Sequence, residues 1–321
     1  MSRFSAATLV LDAEAEVERI VTEMRRLLRA DLKRRGLVIG LSGGIDSSVC
    51  AALAVRAVGA ERVFGLYMPE NDSDPESLAL GQSVAGTFGF AAEIEDIGPA
   101  LSAMGCYERR DAFIRQLVPS YGAGWVCKVV IANPLEGQGL AVSSLVVQPP
   151  GGEQQKIRLT AEVYQGIIAA TNMKQRTRKQ LEYFHADRLN FAVIGTPNRL
   201  EYDQGFFVKN GDGAADLKPI AHLYKSQVYQ LARHLGVPET ICRRPPTTDT
   251  WSMAQSQEEF YFSLPYDRMD LCLYGLNHGL PADEVAAAAR LTHAQLEAVW
   301  ADIERKRVAT RYLHLPPLLV A

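Results

Sequence analysis

The sequence has few cysteines, and they are neither paired nor clustered. There are five of them, they are widely scattered, and none belongs to a CxxC pair: Cys50, Cys106, Cys127, Cys242 and Cys272. An odd number of scattered thiols argues against a disulfide framework and against a cysteine-based zinc site. We therefore expect reduced thiols, as in a cytoplasmic protein.

An excess of one charge is also missing. Lys and Arg number 34 and Asp and Glu number 37, so the formal net charge is −3. This balance gives no electrostatic reason to expect a nucleic acid or an anionic membrane as a partner. No uninterrupted apolar stretch reaches the ~20 residues that a membrane span requires. Met1–Val10 lacks the basic start and apolar core of a signal peptide, so we expect neither a membrane segment nor a leader.

The sequence does contain a regular alternation of predicted helices and strands. Apolar residues recur at close to 3.6-residue spacing from Asp12 to Lys33, which predicts an N-terminal helix over about residues 12–35. Later helices are predicted at Val49–Val58 and Asp74–Phe88. Short apolar runs predict strands at Leu37–Leu41, Arg62–Met68, Ala91–Ile97 and Asn190–Gly195. Such alternation is typical of βαβ units, so we expect an α/β fold with a parallel sheet between two helical layers.

The 321 residues fit one large α/β domain or two small ones, and we interpret residues 1–321 as a single domain. Residues of about 100–160 interrupt the alternation, with β-rich runs at Trp125–Ile131 and Leu140–Gln148 and a turn at Pro149–Gly152. We predict a β-rich insertion there, as a hairpin or lid. The C-terminus is predicted to be helical over about 282–311, with Thr292 and Gln295 forming a capping box.

A glycine-rich turn follows the first predicted strand. Ser42-Gly43-Gly44 leads into a helix that begins with Ile45-Asp46-Ser47-Ser48. Backbone N–H groups at such a turn bind phosphate, and Asp46 could hold Mg²⁺ against it. The turn is neither a Walker loop nor a GxGxxG dinucleotide motif. A purely structural Gly-Gly turn with two serine caps is the alternative interpretation.

Three later segments carry further polar residues. Asn172 to Tyr183 lies on a predicted helix with Arg176 and Arg178, whose guanidinium groups suit carboxylate or phosphate. Gly195–Glu201 follows a buried strand, where α/β proteins place ligands, and Glu201 could be a second Mg²⁺ carboxylate. Phe206–Asp216 is a polar loop able to bind ribose hydroxyls or a cation. A solvated basic face, a surface glutamate and an ordinary loop are the respective alternatives.

Taken in order, these motifs resemble those of the NAD synthetases. The family pattern is SGGxDS, NxxxRxR, GTxNxxE and KxGDGxAD, with a Lys nine residues after the last Asp, and all four occur here. The resemblance runs from about Leu37 to Tyr274 and weakly includes Glu304–Arg307 and Pro316. It implies the Rossmann-like adenine nucleotide alpha-hydrolase fold. It also implies the short, ammonia-using form, because no glutaminase segment precedes the motifs.

The resemblance implies a two-step amidation. The nicotinate carboxylate of deamido-NAD attacks the α-phosphorus of ATP, releasing pyrophosphate, and ammonia then attacks the acyl-adenylate to give NAD and AMP. It further implies ATP and Mg²⁺ as ligands and a homodimer that shares the deamido-NAD site.

The residues implied for this reaction fall into three groups. The ATP group contains Ser42, Gly43, Gly44, Asp46, Ser47, Ser48, Thr196, Lys225 and Thr247. The deamido-NAD group contains Asn172, Arg176, Tyr183, Phe206, Lys209, Asp212 and Asp216. Asp46 and Glu201 would bind the metal, and the resemblance assigns the catalytic roles to Asp46, Lys225, Asp212 and Asp216, the last two steering ammonium.

Several positions depart from the family pattern. Tyr67 stands where an Arg is usual, Trp251–Met253 is an unusual sequence, Gln257 replaces an acidic residue, and Arg305 stands where His is common. These departures leave open a related ligase that amidates another carboxylate. A third alternative is a DNA-binding protein, because Pro281–Trp300 resembles a helix-turn-helix, although Gln295, Glu297 and Asp302 suit phosphate poorly.

Overall fold

The computed structural model describes residues 4–131, 143–247, 250–262 and 264–320. Its strands are β1 (Leu37–Gly40), β2 (Val63–Tyr67), β3 (Ala91–Ile94), β4 (Val126–Val130), β5 (Ser144–Gln148), β6 (Gln155–Arg158) and β7 (Ala192–Val193). Its helices are α1 (Ala13–Arg26), α2 (Ile45–Val58), α3 (Pro75–Phe88), α4 (Gly98–Ala103), α5 (Cys106–Arg115), α6 (Ala161–Leu189), α7 (Arg199–Gln204), α8 (Lys225–Leu235), α9 (Glu239–Arg243), α10 (Tyr266–Asn277), α11 (Ala282–Ala289) and α12 (His293–His314).

The central sheet has the strand order β3-β2-β1-β7, and its pairs are parallel. Alternate residues of β1 face opposite layers. Leu37 and Ile39 pack in a core with α1, α2 and α8, whereas Val38 packs on the other face with residues of α4 and α6. The predicted three-layer α/β/α architecture with a parallel sheet is therefore confirmed. The predicted strands are each shorter than expected.

The N-terminal helix ends earlier than predicted. Asp12 caps it by accepting a hydrogen bond from the Ala15 amide (3.1 Å), and α1 passes at Arg26 into one π-helical turn, Leu27–Asp31. The boundary predicted near residue 35 was wrong, because Lys33 adopts a positive φ of 52° that a right-handed helix cannot contain.

The β-rich prediction for residues 100–160 was wrong in its first third, which forms α4 and α5. From Val126 onward the prediction is confirmed: β4, β5 and β6 form an antiparallel sheet in that order. We call it the inserted sheet. The start of the second predicted run, at Leu140, lies outside the described residues.

The C-terminal helices pack as a separate cluster. Thr292 and Gln295 form the predicted capping box, with Gln295 N donating to Thr292 Oγ1 (3.2 Å) and Thr292 N to Gln295 Oε1 (2.9 Å). α12 runs to His314, three residues past the predicted end. Leu296 and Val299 are buried against α10 and α11, so the apolar face of α12 packs in the hydrophobic core of this cluster.

Two further properties concern the described chain as a whole. The five cysteines are buried and unpaired. None of its helices combines the length and the apolar character needed to cross a membrane.

Candidate active site

The phosphate loop lies at the carboxyl end of β1, as predicted. Gly43 has a φ of +72°, and a Cβ there would lie 2.7 Å from the Ser77 carbonyl oxygen, so only glycine fits. Gly44 caps α2, and the hydroxyls of Ser47 and Ser48 both donate to its carbonyl (3.0 and 2.8 Å). The loop is thus a close turn into a helix N-terminus, where N–H groups and the helix dipole favour an anion.

Three charged side chains meet beside this loop. Lys225 Nζ, on a fully buried side chain, pairs with Asp46 Oδ2, and Asn198 Nδ2 donates to Asp46 Oδ1 (3.2 Å). Burial and the neighbouring Asp46 carboxylate raise the pKa of Glu201 to about 8. Burial lowers the pKa of Lys225, but Asp46 and Glu201 outweigh it and hold that pKa above its usual value. The structure thus brings together residues from three separate sequence motifs, which the family resemblance had implied for one site.

Asp270, which the sequence did not single out, fixes the start of α8. Its carboxylate accepts hydrogen bonds from the backbone N–H groups of Lys225 (3.1 Å) and Ser226 (2.7 Å). Asp270 is fully buried, and burial raises its pKa to about 6. An aspartate from α10 therefore caps a neighbouring helix and holds Lys225 at the site.

A cavity of about 1080 Å³ opens from the phosphate loop. Most of the predicted site residues line it. They are Ser42, Gly43, Gly44, Asp46, Ser47, Asn172, Arg176, Thr196, Glu201, Phe206, Lys209, Asp212, Lys225 and Thr247. One continuous space therefore joins the residues expected for ATP with most of those expected for the second substrate.

Three predicted residues lie outside the cavity lining. Ser48 is fully buried under the loop. Asp216 accepts the Val193 amide (2.7 Å) through Oδ2 and the Tyr183 hydroxyl (3.3 Å) through Oδ1. Asp216 is exposed and Tyr183 is half-buried, so this pair forms part of the outer surface at the end of β7.

The expected deamido-NAD residues are held by backbone contacts. Lys209 Nζ donates to the carbonyls of Tyr312 (2.7 Å) and Leu315 (3.1 Å), which ties it to the end of α12. Arg176 Nε donates to the Lys209 carbonyl (3.2 Å). Asp212 Oδ1 accepts the Val208 amide (2.7 Å), and burial raises the pKa of Asp212.

Additional cations line the cavity that the sequence did not assign to the site. Arg244 donates to Asp74 Oδ2 (2.6 Å), and Asp74 caps α3 close to the phosphate loop. Arg305 and Lys306 reach the cavity from α12. Their sequence signals were a proline-rich neighbour for Arg244, the weak tail match for the other two, and the departure from a common His for Arg305. Each is paired with a carboxylate, because Arg305 and Lys306 both contact Asp302 (3.3 and 2.7 Å).

A buried ion-pair network surrounds Lys174, and the sequence did not predict it. Lys174 on α6 donates to Glu70 Oε1 (3.0 Å), Asp72 Oδ2 (2.6 Å) and the Thr250 carbonyl (2.8 Å). Its side chain is 1% exposed. The network thus ties the loop after β2 to the segment that contains Thr250.

A sequence model of the NAD synthase family matches residues 16–117 and 153–311. An NH(3)-dependent NAD(+) synthetase of Rhizobium meliloti is 73% identical over 317 residues, covering 99% of this chain and 95% of that protein. One of Rhizobium rhizogenes is 69% identical, covering 99% and 96%. The matches favour neither a ligase for another carboxylate nor a DNA-binding protein.

Solved structures show the same fold. An NMN synthetase from Francisella tularensis aligns with a TM-score of 0.67 at 22% identity, covering 97% of this chain and 99% of that one. An NAD+ synthetase from Burkholderia pseudomallei aligns with a TM-score of 0.57 at 25% identity, covering 96% and 93%.

Proposed function

Since this chain belongs to the NAD synthase family, we propose that it is an ammonia-dependent NAD synthetase acting as a single domain in the cytoplasm. The reaction amidates deamido-NAD with ATP and ammonia and releases NAD, AMP and pyrophosphate. The observation that carries the proposal is the arrangement of Asp46, Glu201 and Lys225 at the phosphate-loop end of one large cavity. No Lys stands within the SGG loop itself, which favours attack at the α-phosphorus over transfer of the γ-phosphate.

The ATP side follows from the loop geometry. The N–H groups at the start of α2 bind the leaving pyrophosphate, and Ser42, Gly43 and Gly44 let it approach the backbone. Lys225, aimed by Asp270, brings a positive charge to the same place. Thr196 and Thr247 line the cavity nearby. These groups orient the triphosphate and neutralise its charge.

The donor set also fits Mg²⁺. Asp46 and Glu201 both face the cavity, and the neighbouring Asp46 carboxylate contributes to the raised pKa of Glu201. Mg²⁺ is usually bound by one or two carboxylates together with substrate phosphates. When bound, it would neutralise charge on the phosphates. Glu93, Glu95 and His185 also place donor atoms within 4.8 Å, but Arg188 donates to His185 Nδ1 (3.0 Å), which opposes a cation.

The deamido-NAD side uses the rest of the cavity. Arg176 and Lys209 supply cationic groups, Asn172 supplies an amide, and Phe206 supplies an aromatic surface for a planar ring. Once the carboxylate has formed a mixed anhydride with AMP, ammonia can displace AMP. Asp212 lies in the cavity and is the better placed of the two loop aspartates to attract ammonium and accept its proton.

A homodimer accounts for the pair outside the cavity. Tyr183 and Asp216 are hydrogen-bonded on the outer surface, and Tyr183 lies on α6, the helix that also carries Asn172 and Arg176. We infer that a second copy covers this face and completes the deamido-NAD site.

The proposal is tested with purified protein, ATP, Mg²⁺, ammonium and deamido-NAD. NAD and AMP should form in equal amounts and should depend on both deamido-NAD and ammonium. Formation of ADP and phosphate, or AMP release without any NAD, would overturn the assignment.

A further inference from the structure

Two of the three strands of the inserted sheet, β4 and β5, lie outside the residues that the family model matches. The family match stops at residue 117 and resumes at 153, and β4 and β5 fall between these limits. In the sheet order β4-β5-β6, β4 is an edge strand with β5 on one side. Its other edge faces residues 250–260, which we call the wall segment.

Backbone groups join β4 to the wall segment. The Met253 amide donates to the Cys127 carbonyl (3.2 Å), and the Cys127 amide donates to Ser252 Oγ (2.9 Å). Just beyond β4, the Ile131 amide donates to the Glu259 carbonyl (3.3 Å). The wall segment therefore covers the open edge of β4, as an additional strand would.

Lys128 adds side-chain contacts to the same junction. Its Nζ donates to the Ala254 carbonyl (3.2 Å) and to Glu259 Oε2 (2.9 Å), and the side chain is only 13% exposed. Gln255 Nε2 donates to the Val129 carbonyl (2.5 Å). Lys128 thus bridges two points of the wall segment five residues apart.

The N-terminal end of the wall segment is fixed from the opposite side. Lys174 binds the Thr250 carbonyl (2.8 Å) from within its buried ion-pair network. Between the two attachments Trp251 is 5% exposed and packs in one core with Cys127 and Val129. Thr247 and Ser256 form an antiparallel bridge, so the fixed segment also holds Thr247.

Aromatic side chains of the wall segment face the cavity. Trp251 and Phe260 both line it, with ring centroids 6.0 Å apart, and Phe260 lies 5.8 Å from Phe206. From the inserted sheet's side, Ile131 and Ser143 line the same cavity. A row of rings beside a phosphate-binding loop suits the planar bases of nucleotides.

We propose that the inserted sheet is a binding element of the active site and that Lys128 is its positioning residue. Through β4 it fixes the wall segment, so that Trp251, Phe260 and Thr247 form a ready surface for the ring systems of the nucleotide substrates. This rests on the proposed function for the identity of those substrates. The wall segment supplies surface to both ground state and transition state, so loosening it weakens binding without changing the chemical step.

The test replaces Lys128 in the full-length protein. Lys128→Met keeps the aliphatic stem but removes both contacts. Lys128→Arg keeps a donor at the same place. Lys156→Met changes an exposed lysine on β6, the far edge strand, and is the matched control. KM for ATP and for deamido-NAD, kcat, and hydrogen exchange of the Met253 and Ile131 amides are measured in each.

Lys128→Met should speed exchange at both amides and raise both KM values about three- to tenfold, as expected for two lost hydrogen bonds, with kcat within about twofold. Lys128→Arg and Lys156→Met should resemble wild type.

Should Lys128→Met unfold, Glu259→Gln, which removes only the ion pair, should give the same pattern more weakly. Faster exchange with unchanged KM values, unchanged exchange, or loss confined to kcat would each overturn the proposal. Failure of the wild-type protein to make NAD would refute the proposed function alone, since exchange and the dissociation constant of ATP still report on the wall segment.

Discussion

Glu201 sits beside Asp46 in a buried position, and its pKa of about 8 lies above the usual 4.5. A raised folded-state pKa means that the native protein binds this proton more tightly than the unfolded chain. Protonation of Glu201 therefore contributes its full stabilisation of the folded state below about pH 4.5. This contribution is lost as the pH rises through about 8. The carboxylate that we propose as a metal ligand is thus held at a cost to the stability of the ligand-free protein.

Glu201→Gln should remove that pH dependence. Glutamine at this position can still accept the Asn198 amide. The ligand-free variant should exceed wild type in free energy of unfolding by at least about 1 kcal/mol at pH 8 and by much less at pH 5. Urea denaturation of both proteins at the two pH values checks this. An equal difference at both values would contradict the pKa assignment.

The same carboxylates should be needed for turnover, so their replacement should lower kcat. Asp46→Asn and Glu201→Gln should each lower kcat by several orders of magnitude with the fold retained, because phosphate charge is left without its counter-ion. Asp283→Asn, at an exposed position on α11, is the control. Circular dichroism and a steady-state assay suffice, and near-normal turnover of either variant removes that residue from the metal site.

At the scale of elements, α8 depends on α10. Asp270→Ala removes a buried acceptor of two backbone N–H groups and should lower the free energy of unfolding by about 2 kcal/mol. Asp270→Asn should lose less, since it keeps one acceptor oxygen. Urea denaturation measures both, with exposed Asp267→Ala on α10 as the control. Equal stability of Asp270→Ala and wild type would show that α8 needs no cap from its neighbour.

Local sequence signals predicted the elements that local forces stabilise. The apolar run of β1 and the following Ser-Gly-Gly located the phosphate loop, whereas only the family resemblance implied that Asp46, Glu201 and Lys225 share a site. Long-range contacts that no motif marks could not be predicted. The partners of Lys174 are 104 and 102 residues away in the chain, and the neighbour of β4 is the distant wall segment. The short helices α4 and α5 carry no strong periodic signal, which is why a β-rich segment was predicted in their place.

At the scale of the whole molecule, the nitrogen source can be predicted. The described cysteines are buried, and a glutaminase needs an accessible thiolate or an equivalent nucleophile. The purified chain should therefore use ammonium and should not use glutamine. Rates are compared with each donor in ammonia-free reagents, and glutamine-driven turnover as fast as ammonium-driven turnover would refute this.

Assembly gives a second prediction at this scale. Phe184, next to Tyr183 on α6, is 58% exposed, as expected of a residue covered by a second copy. The protein should sediment as a homodimer, and Phe184→Glu should weaken it, whereas Val10→Glu, also at an exposed apolar position, should not.

Arg176→Lys should raise the KM for deamido-NAD more than that for ATP. A fully active wild-type monomer would contradict the shared site.

The reactivity of the five buried thiols should report on local unfolding of the protein. Cys50 on α2 and Cys242 on α9 lie in one core. Cys272 lies among the C-terminal helices, Cys127 lies in the inserted sheet, and Cys106 lies at the start of α5. A thiol reagent can reach each one only when the surrounding cluster opens. Labelling in native buffer, read by mass spectrometry, thus times the opening of four clusters separately. One shared rate would mean that the chain opens as a single cooperative unit, and a faster Cys127 would mean that the inserted sheet detaches first.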